Sequence, residues 1–294
     1  PMVGAVIVKN GKAIAQGFHH HRGGLHAEIV ALNKVNGSLV GAKLYVPLEP
    51  CFNFGRTPPC VDAIIQSGIK EVIVGMIDPN PLTHGRSIAK LRKAGIKVKV
   101  GVLSDELAKM NEAFVKYITK QMPFVVTKTA QTLDGKIATR VGESQWITSA
   151  VSRQYAHELR NEFDAILVGI NTILKDDPGL NASAKNLKKI VVDSSLRISL
   201  NAKIFKNTQP QDCFIATTRK ANKKKIFSLE KHEVNVVICP SKNGRVDLKW
   251  LMKEIAKKEI AKILIEGGGQ IIGSALKNKL VDKMMFFIAP KIIG

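Results

Sequence analysis

The sequence predicts a layered α/β protein in two parts. Apolar runs of strand length alternate with amphipathic runs of helix length along the whole chain. Its 294 residues match the length of about two domains. A break falls at Thr119–Pro123, where a helical pattern ends, a proline follows and a new strand begins at Phe124, which separates 1–120 from 121–294.

In the first part, Met2–Val8 reads as a buried strand, and Asn10-Gly11 is a hairpin signal that returns the chain into Ala13–Phe18. Leu25–Lys34 carries Leu25, Ile29 and Leu32 at helical spacing, which predicts those residues on its inner face. Leu44–Leu48 is a short strand. Thr57-Pro58-Pro59 offers a capping residue and first-turn prolines for a helix over Cys60–Ser67 that stops at Gly68. Val72–Met76 and Val98–Val102 read as strands, with a helix over Arg86–Lys93 between them. One helix is predicted from Ser104 to about Ile118, with Asp105 and Glu106 suited to its dipole.

The second part repeats the alternation. Strands are predicted at Phe124–Thr129, Ala165–Val168, Lys189–Val192, Cys213–Thr217, Val234–Ile238, Lys262–Ile265 and Lys283–Ile288. Helices are predicted at Ser152–Asn161, Leu248–Lys257 and Ile271–Lys279, and Asn181–Lys188 reads as a loop. The chain opens on Pro1 without an initiator Met and stops directly after a strand, so truncation is expected at both ends.

Composition narrows the functional classes. Lys plus Arg number 45 and Asp plus Glu 24, a formal charge of +21. That charge raises nucleic acid, anionic membranes or phosphorylated small molecules as partners. It is spread evenly, net +8 over 1–120 and +13 over 121–294, with no basic tail. The densest cluster, Lys220 with Lys223 to Lys225, has only Phe227 as an aromatic neighbour and reads as solvated surface. No apolar run is long enough to span a bilayer, no signal peptide is visible, and four cysteines do not make a disulfide scaffold.

The sharpest chemical signal is His26-Ala27-Glu28 followed by Pro50-Cys51 and Cys60. One imidazole and two thiols are three zinc ligands, and a catalytic zinc keeps its fourth place for water. Zinc lowers the pKa of that water, and a nearby carboxylate such as Glu28 can carry its proton without being a ligand. Cys60, near a helix N-terminus, sits where a thiolate is favoured. The order follows the pattern of zinc nucleobase deaminases, but those separate the two cysteines by two residues and here eight intervene. The lengthened loop argues against ordinary cytidine and tRNA-adenosine deaminases.

Pro1-Met2-Val3-Gly4-Ala5-Val6, Gly17-Phe18-His19, His26-Ala27-Glu28, Leu48-Glu49-Pro50-Cys51, Gly55-Arg56-Thr57-Pro58-Pro59-Cys60 and Asp78-Pro79-Asn80-Pro81 resemble the deaminase half of the bifunctional riboflavin-biosynthesis deaminase–reductases. The resemblance implies a cytidine-deaminase-like α/β/α layered domain over 1–120, with zinc on His26, Cys51 and Cys60 and Glu28 as the proton shuttle. It gives His19, Asn53 and Arg56 to a diamino-hydroxy-pyrimidinone substrate that bears a phosphoribosylamino group. Two departures stand out. Asn53 occupies the place of a family His, and the family's N-terminal helix and the Asn before Pro1 are absent.

Lys128-Thr129-Ala130, Leu133-Asp134-Gly135, Ser144-Gln145-Trp146-Ile147-Thr148, His157-Glu158-Leu159-Arg160, Asp164 through Gly169, Thr172, Asp176-Asp177-Pro178, Glu266-Gly267-Gly268-Gly269 and Ile288-Ala289-Pro290-Lys291 resemble the reductase half of the same family. This implies a dihydrofolate-reductase-like α/β domain over 121–294 that uses NADPH. The residues themselves support part of that, since a strand ending in Glu266, a bare glycine turn and a helix make a place where phosphate can meet backbone amides. The spacing is not that of a dinucleotide-binding Rossmann turn. By position, the resemblance gives NADPH to Ala130, Trp146, Thr172, Asp176, Gly268, Gly269, Gln270, Ile271, Ile272, Gly273 and Ser274. It gives the substrate to Ser144, Arg160, Leu180 and Glu266.

Ser183 stands where the family has an Arg for phosphate, and Lys185 or Lys188 are the cations that could replace it. The expected function is zinc-dependent deamination followed by NADPH reduction of the ribosyl group. A deaminase with a weakened reductase and a nucleic-acid-binding protein on a deaminase scaffold are the alternatives. The expected partners are phosphorylated pyrimidines, not nucleic acid or membrane, in a cytoplasmic homo-oligomer. Cys213 and Cys239 read as strand residues without partners.

Overall fold

A computed structural model describes residues 1–21, 23–54, 58–144, 146–183, 186–206 and 208–294. Gly55, Arg56, Thr57, Gln145 and Lys185 lie outside the described residues, and with them the Thr57 cap and the proposed roles of Arg56 and Lys185. The chain divides into two units, Pro1–Lys120 and Gln121–Gly294.

The first unit holds a five-stranded sheet in the order β2-β1-β3-β4-β5. β1 (Gly4–Lys9) and β2 (Lys12–Phe18) form the hairpin. Asn10 and Gly11 turn it with φ of 52° and 75°, the left-handed pair that an Asn-Gly turn supplies. α1 (Ala27–Leu32) follows, then β3 (Lys43–Leu48), α2 (Cys60–Gln66), β4 (Glu71–Met76), α3 (Arg86–Lys93) and β5 (Lys97–Val100). β3, β4 and β5 run parallel, and every residue of β4, which lies between β3 and β5, is buried, as a strand covered on both faces requires.

The inner face of α1 differs from the one its periodicity predicts. Ala27, Glu28 and Ala31 are buried, whereas Leu25 is exposed and Ile29 and Leu32 are half-buried. The cause is the close approach of α1 to β2. A Cβ on Gly17 would lie 2.4 Å from the Ala27 carbonyl and 2.6 Å from the Ala31 amide, so only small side chains fit between helix and strand.

The helix expected over 104–118 is two helices, α4 (Ser104–Met110) and α5 (Glu112–Lys120). Buried Asn111 breaks it. Its side chain accepts from the Met2 amide at 2.7 Å and donates to the Met2 carbonyl at 3.2 Å, which ties the start of the chain to the break.

The second unit is built on a seven-stranded sheet in the order β10-β9-β8-β7-β13-β6-β14, and all its pairings are parallel. Its elements are β6 (Phe124–Thr132), α6 (Ala150–Leu159), β7 (Ala165–Gly169), α7 (Ile170–Asp176), β8 (Lys188–Val192), β9 (Cys213–Thr218), α8 (Lys223–Lys231), β10 (Asn235–Cys239), the small hairpin β11 (Ser241–Lys242) and β12 (Arg245–Val246), α9 (Leu248–Ala256), β13 (Lys262–Glu266), α10 (Gly269–Lys277) and β14 (Lys283–Ala289).

The sequence reading lacks α7 and α8. α7 starts on the residue after β7, so no turn chemistry announces it. α8 is the lysine cluster itself, capped by Asn222, whose side chain accepts from the Lys224 and Lys225 amides. β7 through β10 build outward in one direction, and β13 then inserts between β7 and β6. That reversal of strand order is where α/β sheets open a crevice at their carboxyl ends.

Candidate active sites

In the first unit, His26 directly precedes α1, Cys51 follows β3 and Cys60 opens α2. Their ligand atoms all lie within 4.8 Å of one another. His26 Nδ1 is 3.2 Å from Cys60 Sγ and 3.4 Å from Cys51 Sγ. Tetrahedral zinc with its usual Zn–N and Zn–S lengths would hold such atoms about 3.5 Å apart, so the donor set and its spacing fit that ion. Helix α2 starts without a side-chain cap. Instead the Cys60 amide donates to Cys51 Sγ at 3.2 Å, which favours a thiolate there.

The hydrogen bond from the Cys60 thiol holds the Cys51 pKa down at about 4, with His26 adding to it. The same bond, followed by burial, pushes the Cys60 thiol up. His26 is raised, first by its hydrogen bond to Cys51. Glu28 lies in the first turn of α1 and is 3 % exposed, and its burial raises its pKa. A carboxyl with a raised pKa beside this cluster is suited to take up and return a proton.

A cavity of about 350 Å³ opens onto this cluster, and His19, His26, Glu28, Cys51 and Asn53 line it. His19 donates from Nδ1 to the Leu25 carbonyl at 3.0 Å, and its ring stands edge-on to His26 at 5.5 Å. Asn53 donates to the Leu82 carbonyl at 2.9 Å, so it ties its loop to the 78–84 segment.

Sequence reasoning gave no role to two buried acids here. Asp78 lines the cavity, and burial raises its pKa. Glu49 accepts from the amides of Asp78, Gly85, Ser87 and Ile88, and so anchors the wall opposite α1. The motifs Leu48-Glu49-Pro50 and Asp78-Pro79-Asn80-Pro81 were the available signal for both.

In the second unit, two cavities of about 580 Å³ and about 510 Å³ open at the carboxyl ends of the strands and share Asn171, Thr172 and Gly268 on their walls. Ala130, Ser144, Trp146, Asp176, Arg160, Leu180 and Glu266 line the larger one. Gly269, Gln270, Ile271 and Ser274 line the smaller one, beside Ser194, Arg197 and Arg245, which the sequence reading did not include. Ile272 packs into the core and Gly273 is on neither wall, so these two predicted cofactor residues are not brought to the cavities.

Space demands a glycine at the first position of this turn. Gly267 has φ of 113°, and a Cβ on it would lie 2.6 Å from Thr172 Oγ1. Gly268 begins α10 without a side-chain cap. Bare backbone at a helix start, at the junction of two cavities, fits an extended phosphorylated cofactor.

Arg160 is buried and pairs with Glu266 through two bonds, Nε to Oε1 at 2.8 Å and Nη2 to Oε2 at 2.9 Å. Its remaining nitrogen donates to the Asn181 carbonyl at 3.0 Å. Lys128 and His157 complete this wall, and burial lowers the pKa of each. Trp146 is 62 % exposed, with the Arg153 guanidinium 4.3 Å above its ring.

Of the two lysines that could replace the missing phosphate Arg, Lys185 lies outside the described residues and Lys188 lines neither cavity. Lys188 reaches Asp212 at 3.6 Å, and Ser183 accepts from Asn161 at 2.8 Å.

Comparison with known proteins bears on both halves. The family model "Cytidine and deoxycytidylate deaminase zinc-binding region" matches residues 1–76, and "RibD C-terminal domain" matches 123–294. The riboflavin biosynthesis protein RibD of Aquifex aeolicus is 46 % identical over 298 residues, covering 100 % of this chain and 82 % of the relative. The chain belongs to the RibD family.

The Escherichia coli RibD is 36 % identical over 310 residues, covering 100 % of this chain and 83 % of its own length. Among solved structures, an Acinetobacter baumannii RibD superposes with a TM-score of 0.88 at 34 % identity, over 99 % of this chain and 81 % of that one. A Thermotoga maritima structure described as a diaminohydroxyphosphoribosylaminopyrimidine deaminase/5-amino-6-(5-phosphoribosylamino)uracil reductase superposes at 0.86 with 38 % identity, over 99 % and 81 %. RibD likeness thus extends over both units. Among the described residues no helix is long and apolar enough to cross a membrane.

Proposed function

We propose that this RibD-family chain deaminates a diaminopyrimidinone that carries a phosphoribosylamino group, and then reduces the ribosyl group to ribityl with NADPH. The observation that carries the reading is the triangle of His26, Cys51 and Cys60 with buried Glu28 beside it, in a chain that matches the two-function Thermotoga protein along nearly its full length.

His26, Cys51 and Cys60 would hold zinc. Zinc bound there supplies Lewis-acid activation of water. Glu28 holds a proton at its carboxyl, released from the attacking water and passed to the departing amine. His19 and Asn53 orient the ring within the cavity, and Glu49 fixes the opposite wall.

In the second unit, Thr172 and the glycine turn before α10 would hold the cofactor, with its length spanning the two joined cavities. NADPH bound there supplies the hydride. The Arg160–Glu266 pair and Leu180 position the ribosyl end, and Lys128 and His157 set the charge of the wall around it. Phosphorylated substrates and NADPH suit a cytoplasmic enzyme.

The test is one preparation scored for ammonia release and for NADPH consumption separately. Both are expected. Ammonia release without NADPH consumption would favour the second reading, a deaminase with a weakened reductase, for which Ser183 and the engagement of Lys188 with Asp212 speak.

A further inference from the structure

We infer that Lys189 is a positioning residue of the reductase site: its ammonium grips the chain on both sides of Leu180 and thereby fixes the carbonyl that holds Arg160 against Glu266. The inference rests on the reductase reading above.

Lys189 lies on β8 with 1 % of its surface exposed. Its Nζ donates to the Gly179 carbonyl at 2.6 Å, to Asn181 Oδ1 at 2.8 Å and to the Ile204 carbonyl at 3.2 Å, and it also bonds Thr208 Oγ1. Three protons therefore serve four oxygens. All four partners are neutral, and among the described residues no carboxylate forms an ion pair with it. A buried cation without a counter-ion is costly, and a methionine of similar length would fill the same space without that cost. Burial lowers its pKa, and the nearby Arg160 charge lowers it further. The arrangement is a poor solution for stability alone.

What the ammonium holds explains its place. Leu180 has φ of +52°, the left-handed region that a branched side chain enters under strain, and it is 5 % exposed on the wall of the larger cavity. Such a conformation persists only when its surroundings over-determine it. Gly179 and Asn181, the residues on either side, supply two of the four oxygens that Lys189 holds. The Asn181 carbonyl in turn accepts from Arg160, whose other two nitrogens are spent on Glu266. A single chain of contacts runs from Lys189 through residues 179–181 to the charged pair in the cavity.

The test uses the full zinc-loaded chain and compares Lys189→Met, Lys189→Arg and the milder Asn181→Ala with the parent. For Lys189→Met, the KM of the phosphorylated pyrimidine in the NADPH-consuming step is expected to rise about tenfold or more, as for a lost hydrogen bond to a charged group. The calorimetric affinity for NADPH and the rate of ammonia release should stay within about twofold. Lys189→Arg keeps charge and donors and should recover most of the KM, and Asn181→Ala should shift it in the same direction by less.

A purely structural role would lower kcat and the NADPH-binding stoichiometry together and leave KM in place. That result, or an unmoved KM in Lys189→Met, overturns the inference while parent activity keeps the reductase reading intact. A parent chain that consumes no NADPH overturns that reading, and the inference with it.

Discussion

Arg160 and Glu266 meet as a two-pronged ion pair on the wall of the larger cavity, with about a tenth of each side chain exposed. Sequence reading assigned both to the substrate. The structure shows that each already satisfies the other, so the pair presents one fixed, nearly neutral unit with little free charge. Glu266→Gln keeps the shape and strands the guanidinium. Breaking such a buried pair is expected to cost about 3–5 kcal/mol, read as a lower denaturant midpoint. NADPH consumption should fall with it, and ammonia release should persist.

Cys60→Ala removes one of three ligands and also the donor that steadies Cys51. Zinc content is expected to drop from about one per chain towards none, with ammonia release lost. NADPH binding, read by calorimetry, should be retained because its proposed residues all belong to the second unit. Full ammonia release from metal-free protein would contradict the site.

Glu28→Gln preserves volume and removes the titrating carboxyl. Zinc should remain, and ammonia release should fall by about 10²–10⁴-fold, the range for loss of a proton shuttle. Steady-state ammonia assays with parallel metal analysis separate this outcome from simple loss of the ion.

Gly17→Ala places a methyl against the backbone of α1, where no side chain can yield. Overpacking of this kind is expected to destabilise the first unit by about 1–3 kcal/mol. Because His26 caps that helix and Glu28 lies in its first turn, zinc affinity should weaken in step with the melting temperature.

Lys128 lies next to Glu266 in the parallel β6–β13 pairing, and its burial lowers its pKa. Between that lowered value and the ordinary value of about 10.4, the unfolded chain binds a proton that the folded chain has lost, so folding stability rises with pH in that window. Lys189 adds a change of the same sign. Cys60, Cys213 and Cys239, whose pKa values are raised, contribute the opposite sign over the same window, so the test is a difference: from about pH 8 to about pH 10 the urea midpoint of Lys128→Met should fall relative to that of the parent.

Much of this was legible in the sequence. Every strand read in the second half is present: the inner strands leave buried apolar runs, and the edge strands β10 and β14, though partly exposed, are apolar along most of their length. The metal cluster was legible from residue type and order alone. What escaped depended on partners distant in sequence. The face of α1 is set by Gly17, ten residues before the helix. The break at 111 is set by Met2. The value of Lys189 lies in what it touches at 179, 181, 204 and 208. The mutual engagement of Arg160 and Glu266, 106 residues apart, has no local signature at all.

The pairing that places Glu266 across from Lys128 continues inward as Ile265 opposite Thr127 and Leu264 opposite Val126. Successive side chains on a strand alternate between faces. If β13 slid by one residue against β6, Ile265 would arrive beside Lys128, and the carboxylate would be carried out of reach of Arg160. An apolar-for-apolar exchange in the middle of this sheet could therefore silence the reductase through misalignment without removing a single polar atom. Inactive variants with substitutions at 263–265 should be examined for a displaced strand before their side chains are blamed.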